Sequence, residues 1–364
     1  MVLRMIIPEI LFKIVFYFFR NPLFKDMFYP KYAEYLREKG KFNIYDFSNI
    51  DLLASQFPGK VERHDSHYIF NNVTVLPDGF IRFDKNSYFV NDYLTYYLIL
   101  SKLSNYRKSI AKVHVSSGYM MCGMYSDSFN LFHFLTDSIV PNLNVSVTNG
   151  SDRILISQIK NTLQKDILKS LEVVNYSEVV SAVDVDKLKL NKRGPKWRSS
   201  YYKNFREKIG VRSKLADGAG KIVYATRKGS ARNYRNENDL IDLLRKYNVD
   251  IIDFSEFSLQ ERKDLLSSTH ILIGQYGAGL TNLVFMPRGS CVIDLQIGNL
   301  VRNDYCLLAT ACDVHYLNVP FGLRSPFGTY SHFISKDDIF HISVALDLAL
   351  ERYPQLSMAI KKFN

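Results

Sequence analysis

The chain has 364 residues, 47% hydrophobic and 23% charged, and carries a formal net charge of +11. These proportions exclude a disordered chain and leave room for at least one full core, with two domains expected at this length. The positive balance argues against cationic partners and for anionic ones: nucleotide phosphates, nucleic acid or an acidic membrane face.

The first element is MVLRMIIPEILFKIVFYFFRNP. It is long enough for a membrane span, but Glu9 and Lys13 sit in its middle, and each charge at the centre of a span costs about 2.5–3.5 kcal/mol. At about 100° per residue Glu9, Lys13 and Arg20 share one narrow stripe, and Pro8 suits a first helical turn. Ile, Leu, Phe, Val and Tyr fill the remaining surface. Residues 1–25 therefore read as an amphipathic helix lying in a membrane interface, the alternative being the same helix docked on the protein's own core. No small-residue cleavage site follows, so a removed signal peptide is not expected.

Residues 61–100 read as short strands and turns, with a hairpin around Pro77, Asp78 and Gly79 in VTVLPDGFIRF. AKVHVSS (111–117) and DRILISQI (152–159) read as strands. Between them DSFNLFHFLTDSIVPNL has helical spacing, with Asp127 or Ser128 as cap and Pro141 as stop. NTLQKDILKSLEVV is helical. The stretch from Lys187 to Lys221 is basic, carries Gly194-Pro195 and ends in Asp217-Gly218-Ala219-Gly220, so a domain boundary is expected within it, at 205/206.

Beyond that boundary the alternation is strict. KIVYATR, VDIIDF, HILIG, CVIDLQ and VHYLNVP read as strands. Between them NENDLIDLLRKYN (capped by Asn236), SLQERKDLLSST (capped by Ser258), GLTNLVFM and NDYCLLATAC read as helices. Short connections between alternating elements predict right-handed crossovers and a parallel sheet covered on both faces. The cysteines, Cys122, Cys291, Cys306 and Cys312, show no CxxC and no metal-ligand spacing, so reduced buried thiols are expected.

In such sheets ligands bind at the carboxyl ends of the strands, where the strand order reverses. Gln275-Tyr276-Gly277-Ala278-Gly279 follows one strand and opens a helix. Glycines there let backbone approach a ligand, and the N–H groups of Leu280, Thr281 and Asn282 are expected to point at an anion. The corner is not a GxGxxG fingerprint, because Asn282 stands at the third glycine position, nor a P-loop, because no Lys-Ser/Thr follows. A plain tight turn is the competing reading. The loop YATRKGSARNYRNE adds Arg227, Arg232 and Arg235 at another strand end, and guanidinium forks suit bidentate phosphate recognition. A solvated basic loop competes here.

His133 and Asp137 stand four apart, on one helix face. A carboxylate beside an imidazole orients it and raises its basicity, which general-base catalysis uses; a core histidine is the plainer alternative. Asp184-Val185-Asp186 spells a DxD metal motif but precedes a Lys-rich stretch and reads as a strand-edge pair, so no metal site is assigned. Asp294 reads as a strand-end aspartate, with contact to a sugar hydroxyl as the alternative.

Taken in order, NLFHFLTDSIVPNL, VYATRKGSARNYRNENDL and ILIGQYGAGLTNLVFMPRGSCVIDL resemble glycosyltransferase family 61, over residues 111–296. That family includes microbial capsule and lipopolysaccharide enzymes, plant xylan transferases and animal N-acetylglucosaminyltransferases; the microbial branch is the one expected here. The resemblance implies an α/β, GT-B-like architecture: two Rossmann-like domains facing across a cleft, 26–205 on the acceptor side and 206–364 holding a nucleotide-sugar. It implies an inverting enzyme moving a sugar from a nucleoside-diphosphate sugar, UDP-linked, to a saccharide or lipid-linked saccharide in surface polysaccharide synthesis. No metal or other cofactor is required, since arginines and helix termini neutralise the leaving diphosphate.

On this resemblance His133 or Asp137 is the catalytic base. Arg227, Arg232, Arg235, Asn236, Glu237, Tyr276, Gly277, Ala278, Gly279, Leu280, Thr281 and Asn282 hold the donor. Residues 1–20 keep the chain peripheral to the cytoplasmic face of a membrane. The sequence departs from the family at Tyr276, where histidine is usual: tyrosine donates a hydrogen bond but cannot act as an imidazolium at neutral pH. Two other readings stay open. One is a non-catalytic nucleotide- or glycan-binding module of the same fold. The other is a basic nucleic-acid-binding protein, suggested by the aromatics interleaved with Lys and Arg in KLKLNKRGPKWRSSYYKNFREK.

Overall fold

The computed structural model describes residues 43–45, 50–65, 67–77, 79–84, 87–89, 110–121, 130–143, 153–191, 197–215, 220–227, 234–297, 302–321 and 333–356. The expected interfacial helix at 1–25 lies outside the described residues, as do Cys122, Asp127, Ser128 and Arg232. Among the described residues no helix is long and apolar enough to cross a membrane. By packing, the chain divides into two compact units: Met1–Ser117 with Val179–Leu188, and Gly118–Glu178 with Lys189–Asn364.

In the first unit, strands β1 (Asn43–Tyr45), β2 (Val61–Arg63), β3 (His67–Val75), β4 (Ile81–Arg82) and β5 (Ser87–Phe89) accompany the helix Ile50–Gln56. The hairpin expected around Gly79 forms: Thr74 pairs with Arg82 and Val75 with Ile81, and Gly79 takes φ +78° to close the turn. Leu53, Phe70, Phe80, Tyr88 and Phe89 make its core. Further along the chain come β6 (Val113–Met120), β7 (Arg153–Ser157, within the second unit), β8 (Tyr176–Val179) and β9 (Val183–Asn191). Asp184 and Asp186 lie on one face of β9. Asp184 accepts from the Thr74 hydroxyl at 2.6 Å and Asp186 meets His114 Nε2 at 2.8 Å, so both carboxylates are engaged on the strand surface.

The second unit carries a five-stranded, all-parallel sheet of β10 (Lys221–Ala225), β11 (Asp250–Ile252), β12 (Thr269–Gln275), β13 (Cys291–Ile297) and β14 (His315–Phe321), in the order β11-β10-β12-β13-β14. Its strands are apolar along their length because both faces are covered. Val223, Ala225, Leu272 and Val292 enter one core; Ile222, Tyr224, Ile271, Ile273, Ile293 and Leu295 enter the other. The unit is mixed α/β and Rossmann-like, as the alternation predicts. The three described cysteines, Cys291, Cys306 and Cys312, are free thiols, and burial pushes Cys291 up to about 12 and Cys312 up to about 11.

The basic stretch expected to hold the domain boundary carries a packed helix among its described residues. Ser199–Lys208 is a helix that buries Tyr202, Phe205 and Arg206. Arg206 donates through Nη1 to the Cys312 carbonyl at 2.9 Å and through Nη2 to the Met286 carbonyl at 2.5 Å, which compensates the burial of its charge. The packing division passes between Leu188 and Lys189, near the start of this stretch. It leaves the residues around His133 in the same unit as the parallel sheet. Tyr202 and Phe205, which the nucleic-acid reading would stack on bases, face the core.

Candidate functional site

The strand order says where to look. β10 and β12 are neighbours, yet the chain leaves β10 for β11 on one side and returns to β12 on the other, which is the switch point of a 2-1-3-4-5 doubly wound sheet. Beyond β10 come Thr226 and Arg227; beyond β12 come Tyr276 and Gly277. Arg227 turns onto that second corner, its Nη1 donating to the Tyr276 carbonyl at 3.1 Å. Gly277 has φ +150°, and a β-carbon there would overlap the Arg227 guanidinium. The conformation demands glycine, and any side chain would also displace the guanidinium.

The next segment, Ala278–Phe285, is a 3-10 helix whose first bond runs from the Leu280 N–H to the Gly277 carbonyl at 2.9 Å. That register changes the expected donor set. The N–H of Leu280 is consumed, and those of Thr281 and Asn282 fall within the i to i+3 ladder. The N–H groups ahead of the ladder belong to Ala278 and Gly279, which are partly exposed. The Thr281 and Asn282 side chains are buried. Asn282 serves the fold: its Nδ2 donates to the Gly279 carbonyl at 2.8 Å and its Oδ1 accepts from Arg262 Nη1 at 2.8 Å. Arg262 also donates to the carbonyls of Phe254 and Phe257, and burial lowers its pKa to about 10, still cationic at neutral pH. Its signal in the sequence is a charge at the inward position between Leu259 and Leu266 on one helix face.

Glu237 is buried and accepts from the Tyr224 hydroxyl at 2.9 Å and the Thr226 hydroxyl at 2.7 Å, fixing the chain just before Arg227. Asn236 occupies the N-cap position of the helix Glu237–Lys246, but its side chain does not cap. It clamps Ile334 instead, donating to its carbonyl at 2.9 Å and accepting from its N–H at 2.8 Å. Arg235 is exposed at the start of that helix.

Asn130 starts the His133 helix by accepting from the Phe132 N–H at 3.0 Å. One α turn, Leu131–His133, passes into a π-helix, Phe134–Ile139, and then a 3-10 turn, Val140–Asn142, so Pro141 sits inside the final turn. Such π widening is frequent at functional sites. His133 Nδ1 and Asp137 Oδ2 are 2.6 Å apart, with 28% of the histidine side chain exposed against 9% of the aspartate. When Nδ1–H donates to this carboxylate, Nε2 keeps its lone pair and can take a proton. Phe132 touches His133 at 5.3 Å and Tyr305 at 5.2 Å, and Tyr305 meets Tyr276 at 5.0 Å. A continuous aromatic contact thus joins the His133–Asp137 pair to the glycine corner.

Tyr276 itself is committed: its hydroxyl donates to Asp304 Oδ2 at 2.5 Å. Burial, and then the hydrogen bond to Asp304, push its phenol well above the usual range, so it stays protonated with its one donor engaged. Among the described residues no group of three or more His, Cys, Asp or Glu could hold a metal ion.

The model of the Glycosyltransferase 61 family matches residues 5–293. The chain belongs to glycosyltransferase family 61. This family-61 chain is 33% identical over 78 residues to the EGF domain-specific O-linked N-acetylglucosamine transferase of Drosophila melanogaster, covering 21% of this chain and 15% of that protein. The Pan troglodytes protein of the same name is 31% identical over 106 residues, 28% of this chain and 20% of that one. The Rattus norvegicus protein is 30% identical over 84 residues, 22% and 16%. The chain spans a fifth or less of the length of these relatives. They are animal proteins, so the narrower microbial assignment gains nothing from them, whereas a glycosyltransferase activity does.

Proposed function

We propose that this family-61 chain is an inverting transferase that moves a sugar from a nucleoside-diphosphate sugar to an acceptor hydroxyl. The observation that carries the proposal is the corner at the switch point, where Arg227 is bonded to the Tyr276 carbonyl beside Gly277. His133 Nε2 takes the proton from the acceptor hydroxyl, oriented through Asp137. The acceptor oxygen bonds to the anomeric carbon as the bond from that carbon to the diphosphate oxygen breaks, and the electron pair leaves with the diphosphate. Arg227 and the N–H groups of Ala278 and Gly279 meet that charge; losing one donor in sites of this kind costs roughly 2.7–4 kcal/mol. By their names the matching relatives transfer N-acetylglucosamine to EGF domains, which supports an O-linked transfer and leaves a saccharide acceptor, lipid-linked or in surface polysaccharide, resting on the family resemblance. The proposal extends to a GT-B-like pairing of two Rossmann-like domains, to UDP as the donor nucleotide without a metal, and to an interfacial helix at residues 1–25 on the cytoplasmic face.

A thermal-shift series with nucleoside diphosphates and their sugars tests the donor half. A nucleotide at a hundred times its Kd stabilises the fold by about 2.7 kcal/mol. His133→Ala is expected to abolish transfer and keep nucleotide affinity. Wild-type turnover in that variant removes His133 from the mechanism, and absence of stabilisation by any nucleoside diphosphate removes the donor site.

A further inference from the structure

Three strand ends reach the corner, not two. β13 pairs with β12, Leu295 opposite Gln275, and the chain beyond β13 reaches Arg302 just before the helix Asp304–Ala311. Gln296 pins Arg302 on both sides: its Oε1 accepts from the Arg302 N–H at 3.1 Å and its Nε2 donates to the Arg302 carbonyl at 2.8 Å. The same Nε2 lies 3.0 Å from Asp294 Oδ2 and 3.0 Å from the Tyr316 oxygen, and the Tyr316 hydroxyl donates to Asp294 at 2.8 Å. Asp294 and Gln296 are buried, so the anchor is rigid while the Arg302 side chain is exposed.

The Arg302 guanidinium lies over the Tyr276 ring, 5.6 Å from its centroid, and Arg227 donates to the carbonyl of that same tyrosine. The two cations therefore flank one residue, from the ends of β13 and β10. Asp304, two residues from Arg302, accepts from the Tyr276 hydroxyl, and among the described residues Arg302 has no carboxylate ion-pair partner. The guanidinium also hydrogen-bonds the Tyr276 side chain, which fixes its plane, and a guanidinium has five N–H donors, more than that one contact uses. Two positive groups held about one corner focus an attractive field on it.

We infer that Arg302 is a second guanidinium ligand for the diphosphate of the nucleotide-sugar, and that Gln296 is the positioning residue that holds it over Tyr276. This rests on the diphosphate reading of the corner. Calorimetric titration of the full chain with UDP, GDP and ADP, and with the matching nucleosides, tests it. Arg302→Ala is expected to weaken the tightest-bound diphosphate about tenfold, the size of losing one charge-assisted hydrogen bond, and to leave its nucleoside unchanged. Arg302→Lys recovers part of the loss. Gln296→Ala costs affinity in the wild-type background and nothing further in Arg302→Ala, whereas a merely structural role costs the same in both. If Arg227→Ala weakens the diphosphate and Arg302→Ala does not, this inference fails and the corner stands. If the wild-type chain binds none of the three diphosphates, both fail.

Discussion

Replacing Gly277 by alanine tests the corner most directly, because two separate costs can be worked out from the structure. The first is backbone strain: with φ +150° and ψ −173° the residue lies in a region essentially reserved for glycine, at a cost of roughly 1–3 kcal/mol for any other residue. The second falls on Arg227, whose guanidinium must leave the space the new β-carbon takes and give up its 3.1 Å bond to the Tyr276 carbonyl. Arg227 is partly exposed and water replaces that partner, so the loss sits near 1 kcal/mol, the typical net worth of one intramolecular hydrogen bond. Together they give roughly 2–4 kcal/mol, which for a unit of this size lowers the melting temperature on the order of 5–15 °C. Gly279→Ala is the internal control. Its β-carbon would stand 3.5 Å from that of Ala225, an ordinary contact, so stability should stay within about 0.5 kcal/mol. Thermal and urea unfolding of both variants decide it. If Gly277→Ala melts with the wild type, or if both glycines cost the same, the account of the corner is wrong.

Two further outcomes follow from buried polar groups. Burial pushes the Asp294 carboxyl from 3.8 up to about 7, against the pull of its bonds to Gln296 and Tyr316, and its Oδ1 has no hydrogen-bond partner among the described residues. The folded chain then holds a proton that the unfolded chain releases, so stability is greatest below about pH 4 for this group, falls as pH rises towards 7, and levels off above; at 1.36 kcal/mol per unit the fall is up to about 4 kcal/mol. Asp294→Asn should flatten that part of the stability curve against pH, and an unchanged slope in the variant would refute the assignment. Arg262→Met leaves Asn282 Oδ1 and the carbonyls of Phe254 and Phe257 without their donor, and should cost roughly 3 kcal/mol or more by urea unfolding, with nucleotide affinity falling as Asn282 loosens from Gly279. A variant as stable as the wild type would show that those carbonyls find other partners.

Local pattern accounts for most of the second unit. THILIGQ is buried throughout and reads as a central strand without help from any other segment. Ser258 caps its helix with Glu261 reciprocating, because both partners of a capping box lie within four residues. The hairpin around Gly79 and the four-residue spacing of His133 and Asp137 are legible for the same reason. By contrast Asn236 has the chemistry of a cap and the right position, but Ile334, 98 residues away, takes its amide. WRSSYYKNFREK reads as part of a basic stretch because its charges dominate the composition, while Tyr202 and Phe205 bind it to a core that composition does not reveal.

What the amino-acid order determined by itself is therefore the alternating α/β pattern, the glycine corner and the His–Asp pair, all set by contacts within about one helical turn or one strand. Only the folded chain decided which polar groups are left to meet a ligand. A 3-10 register, imposed as Leu280, Leu283 and Val284 enter the core, moves the available N–H groups to Ala278 and Gly279. Asn282, Glu237 and the Tyr276 hydroxyl are drawn into the scaffold, and Arg302 is brought over Tyr276 by a glutamine six residues away on β13. Most buried polar groups are hydrogen-bonded, and the partner each finds is set by the packing of distant segments.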